Sequence, residues 1–465
     1  MVCVVGAAAV LPAVGWRAVV ADTTVPTGTL FVPKSPQERA AFNTAADEKE
    51  RIADAEEKES RATVLPTLGH PFESPVTHPE IGIDRAAIPM RDGVKLRGSV
   101  YRPKQDGRYP VILQTGPYDM DKNLDEMPAL FRNLARRGYA VVAVDSRGRY
   151  GSEGTFRPFD DEIDNTLDAV AWVSSQPWSN GKVGLTGISY IGWTSYCGGI
   201  AAPPELVAIM PSAINYGLEN QHGVPYLGSM AGWLIWAGRP GTPATAVTRR
   251  IDWLHLPLDR IDDEAGLPTP AFDAMVTERH LEVPGALTPE EVENRLAKIK
   301  VPTYVVAGWY DELNEGMLAN YVRQARHSKD LRLVVGPWHH NINTAYRGPE
   351  KIGIVSASEP HLDRYYHEME RFFARYLKGD ETAWDPPGRV LLYVMGSNQW
   401  RYEDEWPLTR AVKTPIYLSS QGKARTTAGN GALVWTAPSG EEPADHYDYD
   451  PLDPVRPVEG VGVWH

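Results

Sequence analysis

Cysteine is almost missing from this chain: the 465 residues include only Cys3 and Cys197. Two distant thiols make no disulfide framework and no CxxC-type metal site. Positive charge is also short, with 47 Lys and Arg against 60 Asp and Glu and a formal net charge of −13. An acidic chain without a basic cluster, a helix-turn-helix signature or an RNA-binding aromatic motif argues against nucleic acid as a partner. Internal repeats and long low-complexity tracts are absent. So are long apolar runs, the nearest being the opening MVCVVGAAAVLPAVGWRAVVA, which is too short and too interrupted by Pro12 for a stable membrane span. Val19 and Ala21 in that run fit a signal-peptidase cleavage pattern, but no Lys or Arg precedes it and Arg17 sits late in it. Residues 1–34 are therefore expected to be a signal peptide or a loose tail, with a secreted or periplasmic location in the first case and a cytoplasmic one otherwise.

The composition that is present, 42% hydrophobic, 23% charged and 9% aromatic, suits a large core divided between two or three domains. Residues 35–85 hold a charged, alanine-bearing stretch with high helix propensity and little apolar face, read as a solvated helical extension and linker. Two strands follow around the Asp92-Gly93 turn, within Ile88 to Tyr101. From Tyr109 onward short apolar strands alternate with helical segments, which is the pattern of an α/β fold with a mostly parallel sheet. The strands are placed at Pro110 to Gln114, Ala140 to Asp145, Val183 to Thr186, Val207 to Pro211, Thr303 to Ala307 and Leu331 to Val335. Together they assign residues 86–212 and 301–380 to an α/β domain and leave 213–300, helical in pattern, as an inserted cap. Thr288, Pro289 and Glu291 spell a capping box inside that insertion. An amphipathic helix from about Leu362 to Leu377 turns Met369, Phe372, Phe373 and Tyr376 to one side and stops at Gly379. Beyond it RVLLYVMG, TPIYLSS and ALVWTA read as strands of a second, all-β domain over 386–465.

In open α/β sheets sites form at the carboxyl ends of strands, so the loops there come first. The segment KVGLTGISYIGWTSY holds a G-x-S-x-G element between a strand and a helix, the setting in which a serine is held on a tight turn as a nucleophile. The bland alternative is a glycine-rich turn with an incidental serine. Ser189 would need a base and the base an orienting carboxylate, in the chain order Ser, Asp, His for this fold. The strand PTYVVA leads into Asp311, and the next strand, LRLVVG, leads into His339 and His340. Asp311 could equally be an N-cap, and the two histidines a metal pair, although no further ligand of suitable spacing is evident. For the oxyanion, the amide of Tyr190 is one donor, and the loop after an earlier strand offers Tyr118, whose alternative is a packing aromatic in a G-P-Y turn. Cys197 reads as a small buried residue on the helix after Ser189.

In order along the chain stand PMRDGVKL, GPYD, VDSRGRYGSEG, QPWSNGKVGLTGISYIG, AGWYDE and GPWHH, then FFARYLKG, VMGSNQW and YDYDPLDP. This set resembles the cocaine esterase and X-Pro dipeptidyl-peptidase (CocE/NonD) family of α/β-hydrolases over roughly Ile88 to Glu459. The resemblance implies a triad of Ser189, Asp311 and His340, an oxyanion hole from the Tyr118 hydroxyl and the Tyr190 amide, and a jelly roll as the last domain. It also implies hydrolysis of small ester or amide substrates without a metal or organic cofactor. Two departures stand out. A jelly roll needs about eight strands and the tail supplies roughly half, so that domain is expected to be shortened. The acidic pair that the amino-ester hydrolase branch carries two and three positions past the triad acid is Leu313 and Asn314 here. The expected activity is that of a serine hydrolase working through an acyl-enzyme on Ser189. The rivals are an X-Pro dipeptidyl-peptidase and an inactive, shortened chain that only binds. Acyl group, leaving group and oligomeric state are not legible.

Overall fold

A computed structural model describes residues 74–120, 126–217, 230–237, 239, most of 247–277, 287–338, 340, 351–352, 355–356, 361–420 and parts of 422–448. The N-terminal apolar run, the charged stretch at 35–61 and His339 lie outside the described residues.

The expected turn at Asp92-Gly93 joins β1 (Ile81–Pro89) to β2 (Lys95–Pro103) as an antiparallel pair with Ile88 opposite Leu96. The Met90 amide donates to the Val94 carbonyl at 2.8 Å and closes the turn. Then come β3 (Tyr109–Gly116), β4 (Ala140–Asp145), β5 (Ser179–Ile188), β6 (Leu206–Ser212), β7 (Thr303–Gly308) and β8 (Leu331–Gly336). These six run parallel to one another, and the order across the sheet is β1-β2-β4-β3-β5-β6-β7-β8. Every residue of β3, β4 and β7 is buried, which is why each reads as an unbroken apolar run rather than an alternating one.

Helices cover both faces. The longer ones are α1 (Glu126–Arg136), α2 (Glu162–Ser175) and α3 (Tyr190–Ala201), then α4 (Gly232–Ala237), α5 (Pro270–Thr277) and α6 (Pro289–Leu296) in the insertion between β6 and β7, then α7 (Asn314–Ala325) and α8 (His361–Phe373). On one face Val170, Val173, Trp193 and Cys197 of α2 and α3 meet Val111, Leu113, Val183 and Leu185. On the other, Leu130, Phe131 and Leu134 of α1 and Met369, Phe372 and Phe373 of α8 meet Ile112, Val141, Tyr304 and Val306. The capping box at the start of α6 is formed as expected, with the Glu291 amide donating to Thr288 Oγ1 and the Thr288 amide to Glu291 Oε2. Among the described residues no helix is long and apolar enough to cross a membrane.

After the short pair β9 (Lys351–Ile352) and β10 (Val355–Ser356) comes the segment RVLLYVMG. Its strand β11 (Val390–Val394) pairs in parallel with β8, and β12 (Gln399–Glu403) pairs antiparallel with β11, so the main sheet has ten strands. The reason is burial: Val390, Leu391, Leu392 and Tyr393 are all buried, and four consecutive apolar residues need cover on both faces. Residues 408–448 belong to a different compact unit, in which β13 (Tyr417–Ser419) and β14 (Ala432–Val434) form a small antiparallel sheet.

Candidate active site

The four strands β3, β5, β7 and β8 end at Gly116, Ile188, Gly308 and Gly336, and just past those ends stand Tyr118, Ser189, Asp311 and His340. Parallel strands share one carboxyl edge, so topology alone brings the four side chains to one side of the sheet.

Ser189 sits between β5 and α3 with φ at 60°, a left-handed value that a residue bearing a Cβ adopts at some cost in strain. The turn is tight enough that a Cβ on Gly187 would stand 2.1 Å from Ile191 Cγ2, and one on Gly192 would stand 2.8 Å from the Ser212 carbonyl oxygen. The two glycines of the motif are there for space. The strain is held by two backbone bonds: the Ser189 amide donates to the Ser212 carbonyl and the Trp193 amide to the Ser189 carbonyl, each at 3.0 Å. The side chain keeps partial exposure.

His340 Nε2 lies 2.9 Å from Ser189 Oγ, and its Nδ1 lies 3.2 Å from Asp311 Oδ1. The Asp311 side chain is fully buried, and its Oδ1 also accepts the Leu313 amide at 2.9 Å. Asp311 therefore does part of the capping work allowed for it as well as facing the imidazole, and the N-cap position of α7 falls to Leu313. Burial lowers the His340 pKa, but the charge and hydrogen bond of Asp311, with the charge of Glu312, outweigh it and lift the imidazole to about 9. Sequence reasoning passed over Glu312. Its carboxylate, His340 and Asp311 offer ligand atoms that lie within 4.8 Å of one another, the only such group of His, Cys, Asp and Glu among the described residues. Both ring nitrogens of His340 already face protein partners, so a metal there would have to break the contact with Ser189 or with Asp311. Glu312 itself is raised by burial, against the pull of His340.

The Tyr118 hydroxyl faces the Ser189 side chain, the Trp233 indole and the Tyr190 amide. Trp233 Nε1 donates to it at 3.3 Å. The Tyr118 ring stacks on Trp236 at 5.7 Å between centroids, and Tyr190 stacks on Trp233 at 5.5 Å. Below this aromatic layer the Tyr190 hydroxyl donates to Glu162 Oε1 at 2.8 Å and accepts the Phe159 amide at 2.9 Å. Glu162 is buried, and desolvation pushes its carboxyl up to about 7. The helix signal in WLIW marked the segment of Trp233 and Trp236, but no spacing rule linked it to Tyr118 or Tyr190, and Phe159 and Glu162 lie outside every motif.

A parallel sheet flanked by helices, with a strained serine, a histidine and a buried aspartate at its carboxyl edge, defines a serine hydrolase of the α/β type. The sequence model of the X-Pro dipeptidyl-peptidase (S15) family matches residues 92–341, and that of the X-Pro dipeptidyl-peptidase C-terminal non-catalytic domain matches 382–457. The chain is 34% identical over 409 residues to the cocaine esterase of Rhodococcus sp., an alignment covering 81% of this chain and 69% of that one. A putative Xaa-Pro dipeptidyl-peptidase of Bacillus anthracis is 31% identical over 169 residues, 26% of this chain and 28% of that one. In fold, the crystal structure of an aminopeptidase from a marine-sediment Thaumarchaeota archaeon is similar with a TM-score of 0.61 and 22% identity, over 83% of this chain and 67% of that one. The chain belongs to the X-Pro dipeptidyl-peptidase (S15) family, the family of the cocaine esterase.

Proposed function

We propose that this hydrolase cleaves small carboxylic esters in two steps, through an acyl-enzyme on Ser189. The observation that carries the reading is the unbroken series from buried Asp311 to His340 to Ser189, at 3.2 and 2.9 Å. As Ser189 Oγ attacks the substrate carbonyl carbon, His340 Nε2 takes its proton. The tetrahedral intermediate collapses, and the same proton passes to the departing alcohol. Water, deprotonated by the freed imidazole, then attacks the acyl carbon, and as the second intermediate collapses the acyl–Oγ bond breaks, the imidazolium returns the proton to Ser189 Oγ and the acid leaves. Asp311 keeps the Nδ1 proton directed at itself and stabilises the imidazolium that forms in both steps. The negative oxygen of each intermediate is met by the Tyr118 hydroxyl and the Tyr190 amide. The helices of 213–300 serve as a cap that bounds the substrate, with Trp233 and Trp236 of α4 at its inner side.

Ester rather than dipeptide hydrolysis is supported by the reach of the likeness, which extends over 81% of the chain for the cocaine esterase and 26% for the dipeptidyl-peptidase. Leu313 and Asn314 carry no charge for a substrate ammonium group beside the series. The test is a panel of p-nitrophenyl acetate, phenyl and butyl esters beside Ala-Pro-p-nitroanilide, run on wild type and Ser189→Ala. Ester turnover well above anilide turnover, lost in the variant, is expected. Preference for the anilide would replace the reading with the dipeptidyl-peptidase one.

A further inference from the structure

We propose that Trp233 is a positioning residue for the reaction, its indole N–H holding the Tyr118 hydroxyl proton on the side where the oxyanion forms. The inference rests on the proposed role of Tyr118 and goes one layer beyond it.

A phenol oxygen has one proton to give and two lone pairs to fill. Of the three polar groups around Tyr118 Oη, the Trp233 indole and the Tyr190 amide can only donate. Both therefore meet lone pairs, and the hydroxyl proton is left to the third side, toward Ser189 and the oxygen of a bound carbonyl. A phenol with no donor behind it could rotate its proton away from that side at little cost. When an intermediate forms, the Tyr190 amide turns its bond to the new oxyanion, and Trp233 remains as the group that keeps the hydroxyl pointed. A donor into the oxygen also polarises the O–H bond and strengthens what it gives.

The surroundings hold this arrangement still. Trp233 is buried and stacks on Tyr190 at 5.5 Å with 19° between planes, while Trp236, three residues on in the same helix, stacks on the Tyr118 ring at 5.7 Å and 13°. Helix α4 thereby fixes both the ring and the proton of one tyrosine. Arg149, itself fully buried, ties that helix to the tyrosine's own loop: its Nε donates to the Pro117 carbonyl at 3.1 Å and its Nη1 to the Ala237 carbonyl. The guanidinium also lies 5.4 Å from the Trp236 ring centroid.

A double-mutant cycle on p-nitrophenyl acetate tests the proposal, because a wall residue that merely fills space would affect both backgrounds alike. Trp233→Phe keeps a ring and removes the N–H. It should lower kcat about three- to tenfold, the range of one hydrogen bond, with KM changed less than about twofold. In a Tyr118→Phe background, where no proton needs directing, the same substitution should change kcat by less than about twofold. Trp233→His, which retains a ring N–H, should keep more kcat than Trp233→Phe, and it carries the same cycle should the phenylalanine variant fold poorly. Equal losses in both backgrounds, or parity between the Phe and His variants, would overturn the inference. An unchanged kcat in Tyr118→Phe alone would instead remove Tyr118 from the hole and sink the reading beneath it.

Discussion

His340 Nε2 stands 2.9 Å from Ser189 Oγ although 151 residues separate them in the chain. The contact spans β6, the whole helical insertion and two further strands, and only the shared carboxyl edge of a parallel sheet makes it short. Its chemistry follows from what lies behind the ring. Asp311 and Glu312 raise the proton affinity of the imidazole, and in the proposed mechanism Tyr118 and Tyr190 are the donors to the oxyanion.

The base should titrate late. With His340 lifted to about 9 by Asp311 and Glu312, the imidazole is protonated and idle at low pH, so kcat/KM for a neutral ester should rise with pH through an inflection above the ordinary imidazole value of about 6.5. Glu312→Gln removes one negative charge and should move that inflection down. An inflection at or below 6.5 in wild type, or no movement in the variant, would contradict this account of the base.

Glu162 should make stability depend on pH in the opposite sense to a salt-bridged carboxylate. Its folded pKa, about 7, is above the unfolded value, so it contributes stability that is fully present below about 4.5 and is lost as pH rises through 7. Glu162→Gln keeps the shape and cannot ionise. The melting temperature of the variant relative to wild type should therefore rise between pH 5 and pH 8, as read by circular dichroism at several pH values. A constant difference across that window would mean that Glu162 does not titrate there.

The elbow should be intolerant of a single methyl group. Gly187→Ala sets a Cβ 2.1 Å from Ile191 Cγ2, a clash of the kind that costs about 1–3 kcal/mol and displaces the neighbouring backbone. Esterase activity should fall at least about tenfold, with a lower melting temperature, and adding Ile191→Ala should restore little of either, because the Ile191 Cβ at 2.4 Å and its carbonyl carbon at 2.9 Å remain in the way. Full activity in Gly187→Ala would show that the turn has room the geometry denies.

The insertion can be probed apart from the chemistry. Thr288→Ala deletes the hydroxyl that accepts the Glu291 amide at 3.3 Å and should cost about 0.5–2 kcal/mol of stability in denaturant. Its kcat on p-nitrophenyl acetate should stay at the wild-type value, since α6 carries none of the groups facing Ser189. A large loss of kcat with unchanged stability would tie that helix to the site.

Much of this was legible in the chain. Six strands are read within a few residues, because fully buried parallel strands appear as uninterrupted apolar runs bounded by turns. The glycines flanking Ser189 and the strand ends before Asp311 and His340 are local signals, and the three side chains they point to meet in the structure. The helix bearing Met369, Phe372 and Phe373 was visible in its period, and all three are buried. What could not be read was partnership across the sheet. VLLY reads as an apolar strand of any sheet, and its place between β8 and β12 depends on the open side of β8, which leaves no mark in the sequence. Glu162, Trp233 and Glu312 were missed because each acts through a neighbour far away in sequence or through burial, and neither leaves a spacing to recognise.

The most direct test of the account is labelling by a fluorophosphonate probe, which bonds only to an activated serine. Wild-type protein should be labelled on Ser189, as mapped by mass spectrometry. Labelling should vanish in Ser189→Ala and fall steeply in His340→Ala, with both variants still folded by circular dichroism. Labelling of folded wild-type protein at another serine, no labelling at all, or full labelling in His340→Ala would contradict the claim that the imidazole takes the proton of Ser189.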